Sequence, residues 1–210
     1  MTELDKIYNM DCLEGMKQIP DESIDAVICD LPYGVLNRSN PEAQWDKMLP
    51  LDLLWKQWLR VCKHNAAIIL FAQGMFTARL MMSQPRIWRY NLVWDKCRTT
   101  GFLNANRMPL RCHEDIAVFY RSLPVYHPQM TIGTPSHPHG NGEHKQTNSC
   151  YGRHIIGRDA DRLLKASREK YPTSIIRVPK ERGASVYHPT QKPVDLLRYF
   201  VRTYTNSGGG

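Results

Sequence analysis

Apolar and polar positions follow one another along the chain in blocks that predict strands separated by helices. Residues 25–30 and 66–72 are mostly apolar and partly β-branched, as in the buried strands of a parallel sheet. Amphipathic spacing predicts a helix over 51–62, and a second helix is predicted over 75–83. Because helices connect the strands, the pattern favours an α/β fold.

The N-terminal segment extends this series. Ile7–Met10 is predicted as a short strand that ends at Asp11, and the apolar spacing of Cys12–Ile19 suits a short helix. The carboxyl ends of parallel strands meet at one rim of the sheet, where ligands bind in open α/β folds. Asp11 and Asp30 are therefore expected at the same rim, with residues 34–49 as a loop above it.

After Pro85 the pattern changes to two strands without a helix between them. Residues 88–95 and 115–120 are predicted to pair antiparallel. The segment 96–114 between them is basic and contains a glycine, which suits a loop along a phosphate backbone and a solvated connection equally well. Its cationic side chains are Lys96, Arg98, Arg107 and Arg111.

Residues 121–187 lack a sustained period, apart from a short helix predicted over 159–170. Five of the 8 histidines fall in this segment, but their spacing matches no zinc site, so no metal is predicted. A basic insertion for target recognition is the favoured interpretation. The candidate DNA-contacting residues of the whole chain are Arg107, Arg111, Arg153 and Arg158.

The predicted organisation is a catalytic α/β domain over 1–120, the insertion over 121–187 and a returning helix within 188–210. Apolar spacing near the end of the chain predicts this helix, which Pro193 opens. The amides and the dipole at a helix N-terminus favour an anion, and Lys192 adds a positive charge there.

Composition narrows the class of protein. The 210 residues suffice for one domain with an insertion, and they contain neither a membrane-spanning apolar run nor a signal peptide, so a cytoplasmic protein is expected. A net charge of +8 favours a polyanionic partner, although plain soluble proteins also reach it. The 6 cysteines form no C-x-x-C pair, so neither a disulfide framework nor a structural metal is predicted.

The tetrapeptide Asp30-Leu31-Pro32-Tyr33 and the later His188–Pro193 resemble motifs of the amino-directed DNA methyltransferases that use S-adenosylmethionine. The order, with the catalytic segment first, resembles that of the permuted members, over nearly the whole chain. Asn9–Cys12, Trp94–Lys96 and His113–Asp115 contribute to the resemblance. It implies a Rossmann-like methyltransferase sheet that is mostly parallel with an antiparallel pair.

The resemblance also implies roles for single residues. A tetrapeptide that begins with Asp implies transfer to the N6 amine of adenine in double-stranded DNA, whereas Ser would imply cytosine N4. The Asp30 carboxylate and the Leu31 carbonyl would accept the amine N–H groups, and Tyr33 would stack on the flipped base. The family usually has Pro at the position of Leu31, and the change is expected to be tolerated because this residue acts through its carbonyl.

The resemblance places S-adenosylmethionine between two flanks of the site. Asp11 and Cys12 would lie near its adenosine, and Thr190, Gln191 and Lys192 near its methionine end. Members of the family continue into a further strand and a Gly-rich cofactor motif, which the 210 residues do not contain. The sheet is therefore expected to lack central strands. The isolated chain is expected to be poorly soluble or a homo-oligomer and to bind the cofactor weakly or not at all, and a complementing C-terminal fragment is expected to restore solubility and cofactor binding.

Three functions are open from the sequence. The first is an adenine-N6 DNA methyltransferase, or the catalytic and recognition part of one. Methylation of an amino group in RNA or protein needs the same tetrapeptide but explains the basic insertion less well. A non-catalytic DNA-binding remnant is the third, because the Gly-rich motif is absent.

Overall fold

The computed structural model describes residues 5–35, 43–134, 168–181, 183, 186–188 and 190–208. Its helices are α1 (Cys12–Met16), α2 (Leu51–Val61), α3 (Met75–Ser83) and α4 (Val194–Tyr204). Its strands are β1 (Ile24–Asp30), β2 (Cys62–Ala72), β3 (Trp88–Thr100), β4 (Arg111–Phe119), β5 (Thr131–Ile132), β6 (Glu169–Lys170) and β7 (Ile175–Arg177). A short 3-10 helix, Phe102–Asn104, lies between β3 and β4.

The chain forms two compact units, one of residues 1–127 with 173–210 and one of residues 128–172. The smaller unit lies within the insertion predicted over 121–187 and contains the antiparallel pair of β5 and β6. The larger unit contains a five-stranded sheet. Its strand β7 falls within the predicted insertion in sequence but pairs with β3 of this sheet.

The strands of the larger unit lie in the order β1-β2-β4-β3-β7. The pairs β1 with β2 and β3 with β7 are parallel, whereas β4 is antiparallel to both of its neighbours. Four strands therefore run in one direction and β4 alone runs in the other. The predicted α/β class, with a mostly parallel sheet and an antiparallel pair, is confirmed. Within the described ranges, β1 pairs with β2 and with no other strand.

Strand β2 lies at the centre of the core because its side chains are buried on both faces of the sheet. Neighbouring residues of a strand point to opposite faces. On one face Leu70 belongs to a cluster with Trp55 of α2. On the other face Phe71 belongs to a cluster with Trp94 of β3 and Phe200 of α4. This two-sided burial explains the uninterrupted apolar run that predicted the strand, and it fixes α4 against the sheet.

One predicted element is wrong, and a second is described only at its end. Ile7–Met10 forms no strand and Ile7 is 98% exposed, because a run this short needs a neighbouring strand for its hydrogen bonds. The described end of the helix predicted over 159–170 is strand β6, and the residues of that helix up to 167 lie outside the described ranges. The helix predicted over Cys12–Ile19 is correct in type but ends at Met16.

The remaining predicted helices and strands are confirmed with small changes in their bounds. Strand β2 begins at Cys62 rather than 66, and β3 continues to Thr100 rather than 95. None of the described helices is both long enough and apolar enough to cross a bilayer.

Candidate active site

Asp30 is the last residue of β1 and lies at the rim formed by the carboxyl ends of β1 and β2. Both of its carboxylate oxygens have a donor. The Lys192 ammonium lies 2.7 Å from Oδ2, and the Tyr33 hydroxyl donates to Oδ1 at 3.0 Å. Leu31 is buried directly after it. The structure therefore brings together the start of the tetrapeptide and the end of the later motif, which are 162 positions apart.

Tyr33 is held from two sides. One face of its ring stacks on Phe76 of α3, with 5.1 Å between ring centroids and 27° between planes. Burial, together with the neighbouring charges of Asp30 and Glu114, raises the pKa of the Tyr33 hydroxyl. The hydroxyl consequently keeps its proton and remains a hydrogen-bond donor to Asp30 at physiological pH.

A chain of opposite charges continues from Asp30 into the sheet. Lys192 lies 3.3 Å from one carboxylate oxygen of Glu114, whose other oxygen lies 3.4 Å from the Lys96 ammonium. The ammonium of Lys192 also lies 5.0 Å above the Phe71 ring, within the range of a cation–π contact. Glu114 belongs to the motif His113–Asp115, but the sequence predicted no role for it. Nothing in the sequence indicates which lysines its carboxylate contacts.

Lys180 adds a further cation to this cluster. Burial lowers the pKa of Lys180, and the neighbouring charges of Lys96, Lys192 and Arg98 lower it as well, while Glu114 opposes them. Lys96, Lys180 and Lys192 thus provide three ammonium groups around Glu114, and such groups can bind a further anionic group.

The segment after the tetrapeptide is fastened by Asp46, a buried residue of the predicted rim loop. Its two carboxylate oxygens accept the amide N–H groups of Gly34 at 3.1 Å and Val35 at 2.8 Å. Gly34 has a φ of +68°, and a Cβ atom built there would lie 3.0 Å from Cγ of Met48. Only glycine combines this backbone conformation with so close an approach.

Gly34→Ala is therefore expected to destabilise the protein by about 2 kcal/mol, the sum of left-handed strain and crowding. Urea denaturation measures the loss. Gly101 provides a matched control, because its φ of +87° is equally unfavourable for alanine but nothing lies within 4 Å of the added Cβ. We expect Gly101→Ala to cost less, and Met48→Ala to relieve the difference. An equal loss for both glycine variants would contradict the crowding at Gly34.

The residues before Lys192 make local contacts. The Thr190 hydroxyl lies 2.8 Å from Nδ1 of His188, and Gln191 donates its amide to Glu181. Glu181 also accepts the Val194 N–H at 3.0 Å, at the first residue of α4. A carboxylate of the chain itself thus meets the helix N-terminus at which the sequence suggested an anion. Of the Thr190, Gln191 and Lys192 side chains, Lys192 is the one with a described bond to Asp30.

Asp11 and Cys12 lie at the start of α1. Asp11 is the N-cap, and its Oδ1 accepts the amide N–H groups of Leu13 at 2.8 Å and Glu14 at 3.2 Å. Burial, with smaller contributions from the Asp30 charge and Cys12, raises the pKa of Cys29 to about 12. Cys29 lies in β1 one residue before Asp30, the end of the strand.

The raised pKa of Cys29 predicts a slow reaction with iodoacetamide, because the thiolate is the reacting form. At pH 8 only about one Cys29 thiol in 10⁴ is ionised, since each unit of pKa is tenfold. Cys97 and Cys112 are exposed, and we expect them to be alkylated at least a hundredfold faster, as measured by mass spectrometry of peptides. In concentrated guanidinium chloride the rates should converge. Equal rates in the folded protein would contradict the burial of Cys29.

The predicted DNA-contacting residues are only partly described. Arg107 and Arg111 are exposed and lie in or next to the loop between β3 and β4, where Arg111 bonds to Oε1 of Gln73 at 2.6 Å. Arg153 and Arg158 lie outside the described residues, so their contact with DNA stays a prediction.

Comparison with known families decides the class of the protein. A family model described as DNA methylase, of the N6/N4 methyltransferases, matches residues 24–209. The chain belongs to the N6/N4 DNA methylase family. The type II methyltransferase M.HinfI of Haemophilus influenzae is 29% identical over 136 residues, which are 52% of this chain and 38% of that protein. The type II methyltransferase M.BamHI of Bacillus amyloliquefaciens is 46% identical over 76 residues, 33% of this chain and 18% of that protein.

The DNA methylase chain thus spans less than two fifths of the length of these two relatives. Among solved structures, the PvuII DNA methyltransferase, described as cytosine-N4-specific, has a TM-score of 0.59 at 13% identity and covers 95% of this chain and 70% of its own. The M1.HpyAVI–SAM complex has a TM-score of 0.53 at 18% identity and covers 95% and 76%. At such identities the likeness concerns the fold, and it agrees with the predicted Rossmann-like methyltransferase sheet.

Proposed function

We propose that this DNA methylase transfers a methyl group from S-adenosylmethionine to the exocyclic amine of a base in DNA, with adenine N6 as the target. The observation that carries the proposal is the Asp30 carboxylate at the rim, oriented by Lys192 and Tyr33. Each carboxylate oxygen has two lone pairs and one described donor, so Asp30 keeps the capacity to accept an amine N–H.

The arrangement suits the chemistry of an amine that is conjugated with its ring. Such a nitrogen is a weak nucleophile, and it gains positive charge as it attacks a methyl group. The Asp30 carboxylate and the Leu31 carbonyl can accept its two N–H groups, which favours a pyramidal nitrogen and stabilises the developing charge. Pro32 follows the end of β1 and has no backbone N–H to donate, and Tyr33 can stack on an extruded base with the face that is turned away from Phe76.

The residues at the rim fit the cofactor. S-adenosylmethionine supplies the methyl group on a positively charged sulfur and carries a carboxylate at its methionine end. Lys96, Lys180 and Lys192 lie around Glu114, and their ammonium groups suit that carboxylate. Asp11 and Cys12 would hold the adenosine end, with Thr190 and Gln191 beside Lys192.

The choice of adenine over cytosine is an inference from one residue. The fold does not distinguish the two bases, because the PvuII enzyme of similar fold is described as cytosine-N4-specific. Asp30 opens the tetrapeptide, and the family resemblance associates Asp at this position with adenine N6 and Ser with cytosine N4. The net charge of +8 supports a polyanionic substrate.

Transfer of tritiated methyl groups to plasmid DNA, total RNA and denatured protein tests the proposal. The assay uses the 210-residue chain alone and with a C-terminal fragment of a related methyltransferase. Digestion of the labelled DNA to deoxynucleosides is expected to give N6-methyl-2′-deoxyadenosine as the product. Label in N4-methylcytosine would correct the base, label in RNA or protein would replace the substrate, and DNA binding without transfer in either arm would favour the non-catalytic remnant.

A further inference from the structure

The loop between β3 and β4 presents adjacent apolar side chains to solvent. Phe102 is 80% exposed and Leu103 is 98% exposed, and Met108 of the same loop is 56% exposed. Single exposed apolar residues are ordinary, but a contiguous group at the end of a projection indicates a surface that becomes buried when a partner binds. We refer to Phe102 and Leu103 as the apolar tip.

The register of the strands places the apolar tip beyond the rim that carries Asp30. Ala72, the last residue of β2, lies opposite Asp115, and Thr100 lies opposite Arg111. The hairpin of β3 and β4 therefore continues past the end of β2 by four residues, or about 13 Å. The same strand β4 carries Glu114, which contacts Lys192 beside Asp30. The tip thus projects from the edge of the candidate active site.

The tip is a formed structure. The amide N–H of Asn104 donates to Gly101 at 2.9 Å, and that of Ala105 donates to Phe102 at 3.0 Å, which closes the 3-10 turn. Gln73 accepts a bond from Arg111 at 2.6 Å and donates to the His113 carbonyl at 3.2 Å, which braces the start of β4. A preformed projection loses little conformational entropy when it binds.

The charge around the tip selects the kind of partner. Residues 96–113 contain Lys96, Arg98, Arg107 and Arg111 and no Asp or Glu. Lys96 is paired with Glu114, whereas the three arginines are exposed around the tip. Apolar side chains that project from a cationic rim suit a duplex, because arginines can hold phosphates while the apolar group enters between stacked bases.

We propose that Phe102 and Leu103 insert between stacked base pairs of duplex DNA beside the target base, while Arg98, Arg107 and Arg111 hold the flanking phosphates. The inference rests on the proposed function, since it takes DNA as the substrate. The inserted side chains unstack the base pairs next to the target base, which favours the extruded state of that base. The apolar tip thus opens the duplex, whereas other residues contact the amine.

Relaxation of a closed circular plasmid by topoisomerase I in the presence of saturating protein tests the insertion, because side chains between base pairs unwind the duplex. The full chain is expected to shift the topoisomer distribution. The double variant Phe102→Ala/Leu103→Ala is expected to lose most of this shift while its affinity in a mobility-shift assay falls by at most about tenfold, since the phosphate contacts remain. Met82→Ala/Leu123→Ala is the matched control, with side chains that are 75% and 78% exposed elsewhere on the same unit.

A second measurement uses methyl transfer to native and to heat-denatured plasmid. The double variant is expected to lose at least about tenfold on native DNA and less than twofold on denatured DNA, where no stack has to be opened. A full chain that binds and methylates DNA without unwinding it would overturn the insertion and leave the proposed function intact. Unwinding of DNA without methyl transfer would support the insertion and contradict the proposed function. Equal loss on both substrates, or binding to anionic lipid vesicles without unwinding of DNA, would also overturn the insertion.

Discussion

Asp30→Ala is expected to lower kcat for methyl transfer by at least about a hundredfold, the cost of removing a preorganised group that stabilises developing charge. The Asp30 carboxylate is the one anionic side chain of the tetrapeptide, and Lys192 and Tyr33 orient it without covering all of its lone pairs. Tritiated-methyl transfer to plasmid DNA measures the effect. DNA affinity should change by only a few-fold, because Asp30 carries no positive charge toward phosphates.

Asp25→Asn provides a matched control on the same strand. Asp25 pairs with Lys63 at 2.7 Å, outside the cluster around Lys192, so its neutralisation should leave transfer unchanged. Asp30→Asn keeps the size of the side chain and removes the charge, and it should behave like the alanine variant. Substantial transfer by either Asp30 variant would contradict the assignment of this residue.

Glu114→Ala is expected to destabilise the protein by about 3 kcal/mol, because it leaves the charges of Lys96 and Lys192 without their shared carboxylate. The side chains of these lysines are only 7% and 10% exposed, so water cannot replace the lost partner. Urea denaturation measures the loss of stability. Glu114→Gln keeps the shape and should lose less.

Glu14 and Lys17 form an exposed ion pair, which provides a control for the effect of burial on the ion pairs of Glu114. Glu14→Gln removes an equivalent ion pair of 2.6 Å from the exposed face of α1 and should change stability by less than about 0.5 kcal/mol. If the Glu114 variants lose no more than this control, the buried cluster contributes nothing to folding.

The sequence predicted most of the fold because the central elements carry their own signals. The apolar run of β2 and the amphipathic spacing of α2 and α4 each identify an element without reference to the rest of the chain. The prediction of a strand over Ile7–Met10 was wrong, because a short apolar run forms a strand only if another strand lies beside it. The pairing of β7 with β3 likewise depends on a long-range contact and has no local signal.

The candidate site was likewise predicted in its single residues but not in the long-range contacts between them. Asp30 and Tyr33 were predicted because they belong to a compact motif, and Lys192 was singled out by its own motif. The bond between Lys192 and Asp30 was not predicted, because it exists only when α4 packs on the sheet through Phe200. The fastening of Gly34 by Asp46 was missed because an aspartate in an aperiodic loop has no signature that names its partner.

Phe71 contacts both the core and Lys192, and this limits the substitutions that position 71 can accept. Its ring packs edge-on against Trp94 and Phe200 in the core, with centroid distances of 6.5 Å and 6.1 Å, and also lies beneath the Lys192 ammonium at 5.0 Å. A substitution at position 71 therefore alters the packing of the interior and the electrostatic surroundings of Lys192 in one step. The effects of substitutions at positions 71 and 192 are consequently expected to be non-additive, because each changes the contact that the other side chain makes.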